Sequence, residues 1–119
     1  MVALGEETAG LFANDDDIAE SLKKSGEVSE EPLWRMPVTS EHREGIKREA
    51  SDLNNCGKSR YADASSAAAF LERFLEKPEG VEDAKVPKWA HLDIAGTCIN
   101  KKIGCTGFGA HLLLDFIKK

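Results

Sequence analysis

Residues 89–100 read Trp-Ala-His-Leu-Asp-Ile-Ala-Gly-Thr-Cys-Ile-Asn and bring an imidazole, a carboxylate, a hydroxyl and a thiol close together in the chain. The alternation of apolar and polar residues predicts a strand over Trp89 to Ile94. Ala90, Leu92 and Ile94 fall on one face, and Trp89, His91 and Asp93 on the other. Ala95 and Gly96 then carry almost no side chain, so another segment or a ligand can approach the backbone. Ligands of α/β proteins gather at the carboxyl ends of strands. Asp93, Ala95, Gly96, Thr97 and Cys98 therefore stand where function is expected.

Several chemistries compete for these groups. Cys98 and His91 are the types of a thiol nucleophile and its base, but their positions on and after one strand do not force them together. Asp93 is a single carboxylate and reads as a partner for nearby backbone N–H groups rather than as a metal ligand. Cys56, Cys98 and Cys105 lack the two-residue spacing of a zinc knuckle or a redox pair. Reduced thiols are their simplest reading, with a structural zinc site shared with His91 or His111 as the alternative. Neither a Gly-x-Ser-x-Gly elbow nor a His-Glu-x-x-His pair occurs. Asp15, Asp16 and Asp17 lack the alternating ligands and late glutamate of a calcium loop and read as a helix start. Thr106-Gly107-Phe108-Gly109 reads as a tight entry into the last helix. An anion site on its backbone amides is the alternative, and no Lys-Ser or Lys-Thr follows to make a P-loop.

The elements that must position these groups follow from the pattern. Val2 to Leu4 reads as the tail of a buried strand, and Gly10 to Ala13 as a short apolar piece leading into a helix. That helix is capped by the Asn14 to Asp17 cluster, carries Ile18, Ala19 and Leu22 inward, and is expected to stop at Gly26. Leu33 to Pro37 is extended, with Trp34 as a core or interface anchor. A helix is expected over Ser40 to Asp52, with Ile46, Ala50 and Leu53 at helical spacing and His42 in the solvated first turn. Residues 53–61 are turn-rich. Ser65 to Glu76 is the strongest helix, with Ala67, Phe70, Leu71, Phe74 and Leu75 as its apolar stripe. Residues 76–88 form a charged surface loop. The last helix runs from Gly107 to Lys119, with Thr106 as its cap and Phe108, Leu112, Leu113, Phe116 and Ile117 inward. Strands alternating with helices indicate an α/β layer structure with a mostly parallel sheet.

Composition narrows the function classes. The chain has 119 residues, at most one domain's worth, with 31% charged residues. No apolar run reaches the roughly 20 residues of a membrane span, and the N-terminal residues do not resemble a secretory signal. Residues 1–31 hold nine acids and two lysines, a balance of −7, and residues 32–119 hold twelve acids and fourteen bases, a balance of +2. The acidic front argues against nucleic-acid binding, which needs a basic stripe.

Beyond these local readings, the 89–100 stretch resembles the C-terminal signature of the leucyl aminopeptidases, also called cytosol aminopeptidases. Val2 to Gly5 with Gly10 to Asp16, Leu33 to Pro37, Asp52 to Asn55 with Gly57 and Lys58, Ala67 to Leu71, and Thr106 to Gly109 resemble the same family in the same order. The resemblance covers nearly the whole chain. Family members are two-metal exopeptidases that release N-terminal amino acids, often leucine, using zinc, manganese or magnesium. They are cytoplasmic and assemble as hexamers.

The resemblance implies an incomplete site. The family's hallmark Asn-Thr-Asp-Ala-Glu-Gly-Arg stretch, which carries metal ligands and a catalytic arginine, does not occur in this sequence. Residues 1–119 are expected to be the C-terminal segment of the catalytic domain, an incomplete part of its sheet, with the metal-binding segment upstream. No divalent ion is expected on this chain alone, no catalytic residue is assigned, and the isolated chain is expected to be inactive. The resemblance does assign part of the substrate pocket. In the family the substrate's first side chain rests against the alanine of the Asp-Ile-Ala-Gly turn and the residue three further on, here Ala95 and Cys98. Many relatives have a larger apolar residue where Cys98 stands, and a glycine where Asp63 stands. Asp63 reads equally as a helix cap or as a group that crowds a close backbone approach. The expected partners are peptide substrates and further copies of the chain, with neither nucleic acid nor membrane. The alternative is a non-catalytic structural or interaction piece of a split peptidase. Either way, an open sheet edge and uncovered apolar surface are expected.

Overall fold

The computed structural model describes residues 1, 3–46 and 62–119. These form two compact units, one of Met1–Met36 with Ala90–Lys119 and one of Pro37–Trp89.

The first unit is built on β1 (Ala9–Ala13), whose sequence Ala-Gly-Leu-Phe-Ala is buried almost throughout. β1 is the middle strand of a three-stranded sheet, between β2 (Leu33–Arg35) and β3 (Ala90–Asp93). A strand covered on both faces reads as a continuous apolar run rather than an alternating one. β1 pairs with β2 in parallel, Leu11 opposite Arg35, and with β3 antiparallel, Leu11 opposite Leu92 and Phe12 opposite His91. The α/β layering is as expected, but among the described residues the sheet is mixed rather than mostly parallel. The cause is β3, which runs against its neighbour.

Period two divides the sheet faces. Ala9, Leu11 and Leu33 share one face, with Ala90 and Leu92 packed beside them. That face is covered by Ala19 and Leu22 of α1 (Asp16–Val28) and by Leu112 of α4 (Ala110–Lys118). The other face carries Gly10, Phe12, His91 and Asp93. There the rings of Phe12 and His91 lie 5.9 Å apart.

α1 starts as its sequence requires. Asp15 is the cap, its Oδ1 accepting the Ile18 N–H at 3.1 Å, with Asp16 and Asp17 in the first turn. It does not stop at Gly26. The helix runs on to Val28, because Gly26 serves close packing rather than termination. A methyl group there would lie 2.6 Å from the Glu31 carbonyl oxygen and 3.3 Å from Leu112 Cδ1. The helix closes one turn later, where the Glu31 N–H donates to the Gly26 carbonyl at 2.9 Å and Glu30 takes the left-handed position at φ 58°.

Residues 3–7 form a turn rather than the tail of a strand, with the Gly5 N–H donating to the Met1 carbonyl at 2.8 Å. Trp34 is not a core anchor within this unit, since 64% of it is exposed. Phe108, just ahead of α4, and Leu112 and Phe116 within it pack inward, while Leu113 and Ile117 are exposed. At its far end, Lys119 Nζ lies 3.2 Å from Asp115 Oδ2 and donates to the buried Ser25 Oγ of α1 at 3.1 Å. The Ser25 hydroxyl and Lys119 together lower the pKa of Asp115.

The second unit holds α2 (Ser40–Gly45) and α3 (Asp63–Glu72). His42 is half-buried and completes a capping box, its Nδ1 accepting the Thr39 N–H at 3.0 Å. Arg43 forks onto Glu72 at 2.7 and 3.0 Å, and the hydrogen bond to Glu72 raises the arginine's pKa. The buried side of α3 is Ser65, Ser66, Ala68 and Ala69, rather than the Phe70, Leu71 and Phe74 stripe. Small residues let this helix pack closely, and the aromatic rings pair with each other instead, Phe70 edge-on to Phe74 at 5.2 Å. The expected charged loop over 76–88 is free of regular structure. The remainder of the 40–52 helix, the turn-rich 53–61 segment and Cys56 lie outside the described residues.

Candidate functional site

The strand-end turn is held by its own polar groups. β3 ends at Asp93, whose Oδ1 accepts the Ala95 N–H at 3.0 Å. This is the local role expected of Asp93, and it folds the backbone back over two residues. The Ile94 carbonyl accepts three donors, the Thr97 N–H at 3.1 Å, the Cys98 N–H at 3.0 Å and the Thr97 hydroxyl at 3.3 Å. Gly96 and Thr97 are buried, whereas Ala95 is exposed and Cys98 half-buried. Gly96 has no room for a side chain, because a methyl group would run into the Gly5 carbonyl of the N-terminal turn.

Ala95 and Cys98 are therefore presented by one turn, and the Cys98 thiol lies 3.7 Å from the Ala95 carbonyl. Cys98 and Cys105 are free thiols. The chain leaves Cys98 into a two-stranded antiparallel ribbon, β4 (Ile99–Asn100) and β5 (Gly104–Cys105), which sequence periodicity could not find in strands of two residues. It returns through Thr106 and Phe108 into α4.

The groups set aside for other chemistry lie elsewhere. Burial lowers the His91 pKa, against the opposing pull of Asp93, so its ring is neutral at neutral pH. Among the described residues no group of three or more His, Cys, Asp or Glu side chains comes together as a metal site. The described residues thus do not fit a binuclear centre. The start of α4 does bind an anion, and the anion is the protein's own. Glu31, buried, accepts the Gly109 N–H at 3.0 Å and the Leu112 N–H at 2.9 Å through Oε2. Thr106 does not cap α4. The cap position is Gly109, at φ 96° with no side-chain bond of its own. Sequence reading missed Glu31, because a carboxylate in a polar loop gives no sign that it will cap a helix 78 positions later.

A small mixed sheet, helices on one of its faces and a polar-locked turn beyond a strand end make this an α/β protein. Its candidate site is a shaped backbone wall rather than a cluster of reacting groups. Residues 1–114 match the model of the cytosol aminopeptidase family, catalytic domain, and the chain belongs to that family. It is 44% identical, over its whole length, to a probable cytosol aminopeptidase of Chlorobium phaeobacteroides, of which it covers 23%. It is 43% identical to a probable cytosol aminopeptidase of Prochlorococcus marinus over 99% of its length and 24% of that protein. Among solved structures, a mutant of tomato leucine aminopeptidase superposes with a TM-score of 0.84 at 36% identity, covering 98% of this chain and 22% of that one. The chain thus spans about a quarter of the length of the relatives it matches.

Proposed function

We propose that this chain is the C-terminal segment of the catalytic domain of a cytoplasmic, metal-dependent aminopeptidase, and that it forms the wall against which the substrate's first side chain rests. Ala95 and Cys98 are the wall residues. The observation that carries this reading is the turn itself. Asp93, Gly96 and Thr97 are spent on fixing its shape, which leaves the Ala95 methyl exposed and the Cys98 thiol beside it. Such a surface binds by excluding water from an apolar side chain, at about 25 cal/mol per Å² buried. Two divalent ions, zinc, manganese or magnesium, would supply Lewis-acid chemistry for an activated water and a polarised carbonyl in the complete enzyme. Their ligands, with the catalytic lysine and arginine, come from outside the described residues, and the complete enzyme is a hexamer acting on peptides.

Two assays test this. The isolated chain is expected to leave leucine-p-nitroanilide intact in the presence of manganese, and turnover would refute its inactivity. Joined to the metal-binding segment of a relative, the chain should form an active peptidase. There Cys98→Met should change the preference between alanine and leucine substrates by roughly 10-fold or more, the scale of a methylene-sized change in an apolar pocket. An unchanged preference would refute the wall. A second reading, a non-catalytic interaction piece, draws on the exposure of Trp34 at 64%, Ile103 at 73% and Ile117 at 77%. Light scattering that shows a stable assembly together with an inactive joined chain would favour it.

A further inference from the structure

Thr106 lies between β5 and α4, and its groups join three segments of the first unit. Its N–H donates to the Cys98 carbonyl at 3.0 Å. Its hydroxyl donates to the Thr97 carbonyl at 2.6 Å and accepts the Phe108 N–H at 3.2 Å. Two successive carbonyls of the strand-end turn are thus taken by one residue. A hydroxyl has one donor and two lone pairs, so it can bond in both directions at once. Valine has the same shape and can do neither.

The two sides of this clamp differ in how firmly they are held. On the α4 side, Phe108 packs against the core and the Gly109 and Leu112 amides are fixed by buried Glu31. On the turn side, Gly96, tight against the Gly5 carbonyl, and Thr97 are buried, but Cys98 is half-buried and Ile99 67% exposed, so burial does not hold the segment beyond Thr97. The stance of the turn's outgoing end, where Cys98 stands, is therefore set from the helix start, through Thr106.

Resting on the reading of Ala95 and Cys98 as a pocket wall, we propose that Thr106 is a positioning residue whose hydroxyl sets where that wall stands, and with it the room for the substrate's first side chain. Pulsed alkylation of the reduced chain with iodoacetamide, followed by peptide mapping, tests this. Thr106→Val is expected to speed alkylation of Cys98 roughly fivefold, the factor that follows from losing, of the hydroxyl's two hydrogen bonds, the one of about 1 kcal/mol that it donates to the turn. Thr106→Ser is expected to restore the original rate, and exposed Cys105 should change little in either variant. Equal Cys98 rates in all three chains would overturn the proposal, and so would an increase that serine does not reverse. If Thr106→Val does not fold, the unaltered chain decides. Its Phe108 amide should exchange with D2O roughly fivefold more slowly than in the unfolded chain, and unprotected exchange would overturn the proposal. No turnover enters these measurements, so a failed clamp appears in them, whereas a failed pocket appears in the substrate preference of Cys98 variants.

Discussion

The sheet around β1 and the segment from Ile94 to Gly109 belong to one unit but are held by different forces. Leu11, Phe12, Ala19 and Leu112 are fully buried, and burial fixes them. Ile94 to Gly109 has little apolar cover and is shaped by hydrogen bonds that the Thr97 and Thr106 hydroxyls donate and the Asp93 and Glu31 carboxylates accept. The difference separates two jobs. The first region makes the unit stable. The second gives a surface its shape, and its hydrogen bonds contribute only about 1 kcal/mol each. Changes in the first should register mainly in unfolding experiments, and changes in the second mainly in local exchange, reactivity and binding.

The largest effect should come from the first region. Leu11→Ala removes a fully buried side chain from the middle strand and should cost roughly 3 kcal/mol in denaturant unfolding. A cost under about 1 kcal/mol would place the stabilising core elsewhere. Glu31→Ala joins the two regions, since it uncaps two amides of α4. It should cost about 1–2 kcal/mol and speed hydrogen exchange at Gly109 and Leu112. Unchanged exchange there would show that the cap is not what holds the helix start. Glu30→Gly should stabilise by about 1 kcal/mol, because Glu30 is exposed and adopts φ 58°, where a side chain is strained. No gain would mean that strain is not stored at the end of α1.

The smallest effect is a slope with pH. The folded-state pKa of His91 is lowered by burial. Between that lowered value and the ordinary one near 6.5, the unfolded chain binds a proton that the folded chain does not. Stability should therefore be full above about pH 6.5 and fall as pH drops through that window, flattening once the folded form is also protonated. His91→Asn should reduce the slope there. Asp115, also lowered, adds its own loss at more acidic pH, as its carboxylate protonates and releases Ser25 and Lys119.

How far this was legible in the sequence follows the same division. Periodicity identified β3 to within a residue at each end, and the Asp15 cap was readable because capping chemistry is local. Asp93 was likewise readable as a ligand for nearby backbone. The glycine at position 26 misled, since close packing against the Glu31 carbonyl and a helix stop call for the same residue. The α3 stripe misled too, because its large apolar residues were not the buried ones, Phe70 being half-buried and Leu71 and Phe74 exposed, while serines and alanines were buried. Glu31 and the Thr106 clamp were invisible. Both depend on partners that only the folded chain brings near, and neither residue type announces a partner far along the sequence. The strand end singled out Ala95 and Cys98 along with three neighbours, but their role as a pocket wall came from family resemblance, since nothing in an alanine and a cysteine on a turn specifies a substrate side chain.

Hydrolysis of leucine-p-nitroanilide with added manganese, measured side by side for the chain alone and for the chain joined to a relative's metal-binding segment, bears most directly on the assignment of a pocket wall without its ions. The account predicts no turnover by the chain alone and restored turnover in the joined protein, with a side-chain preference that moves when Cys98 is enlarged. Turnover by the chain alone, or a preference indifferent to Cys98, would contradict it.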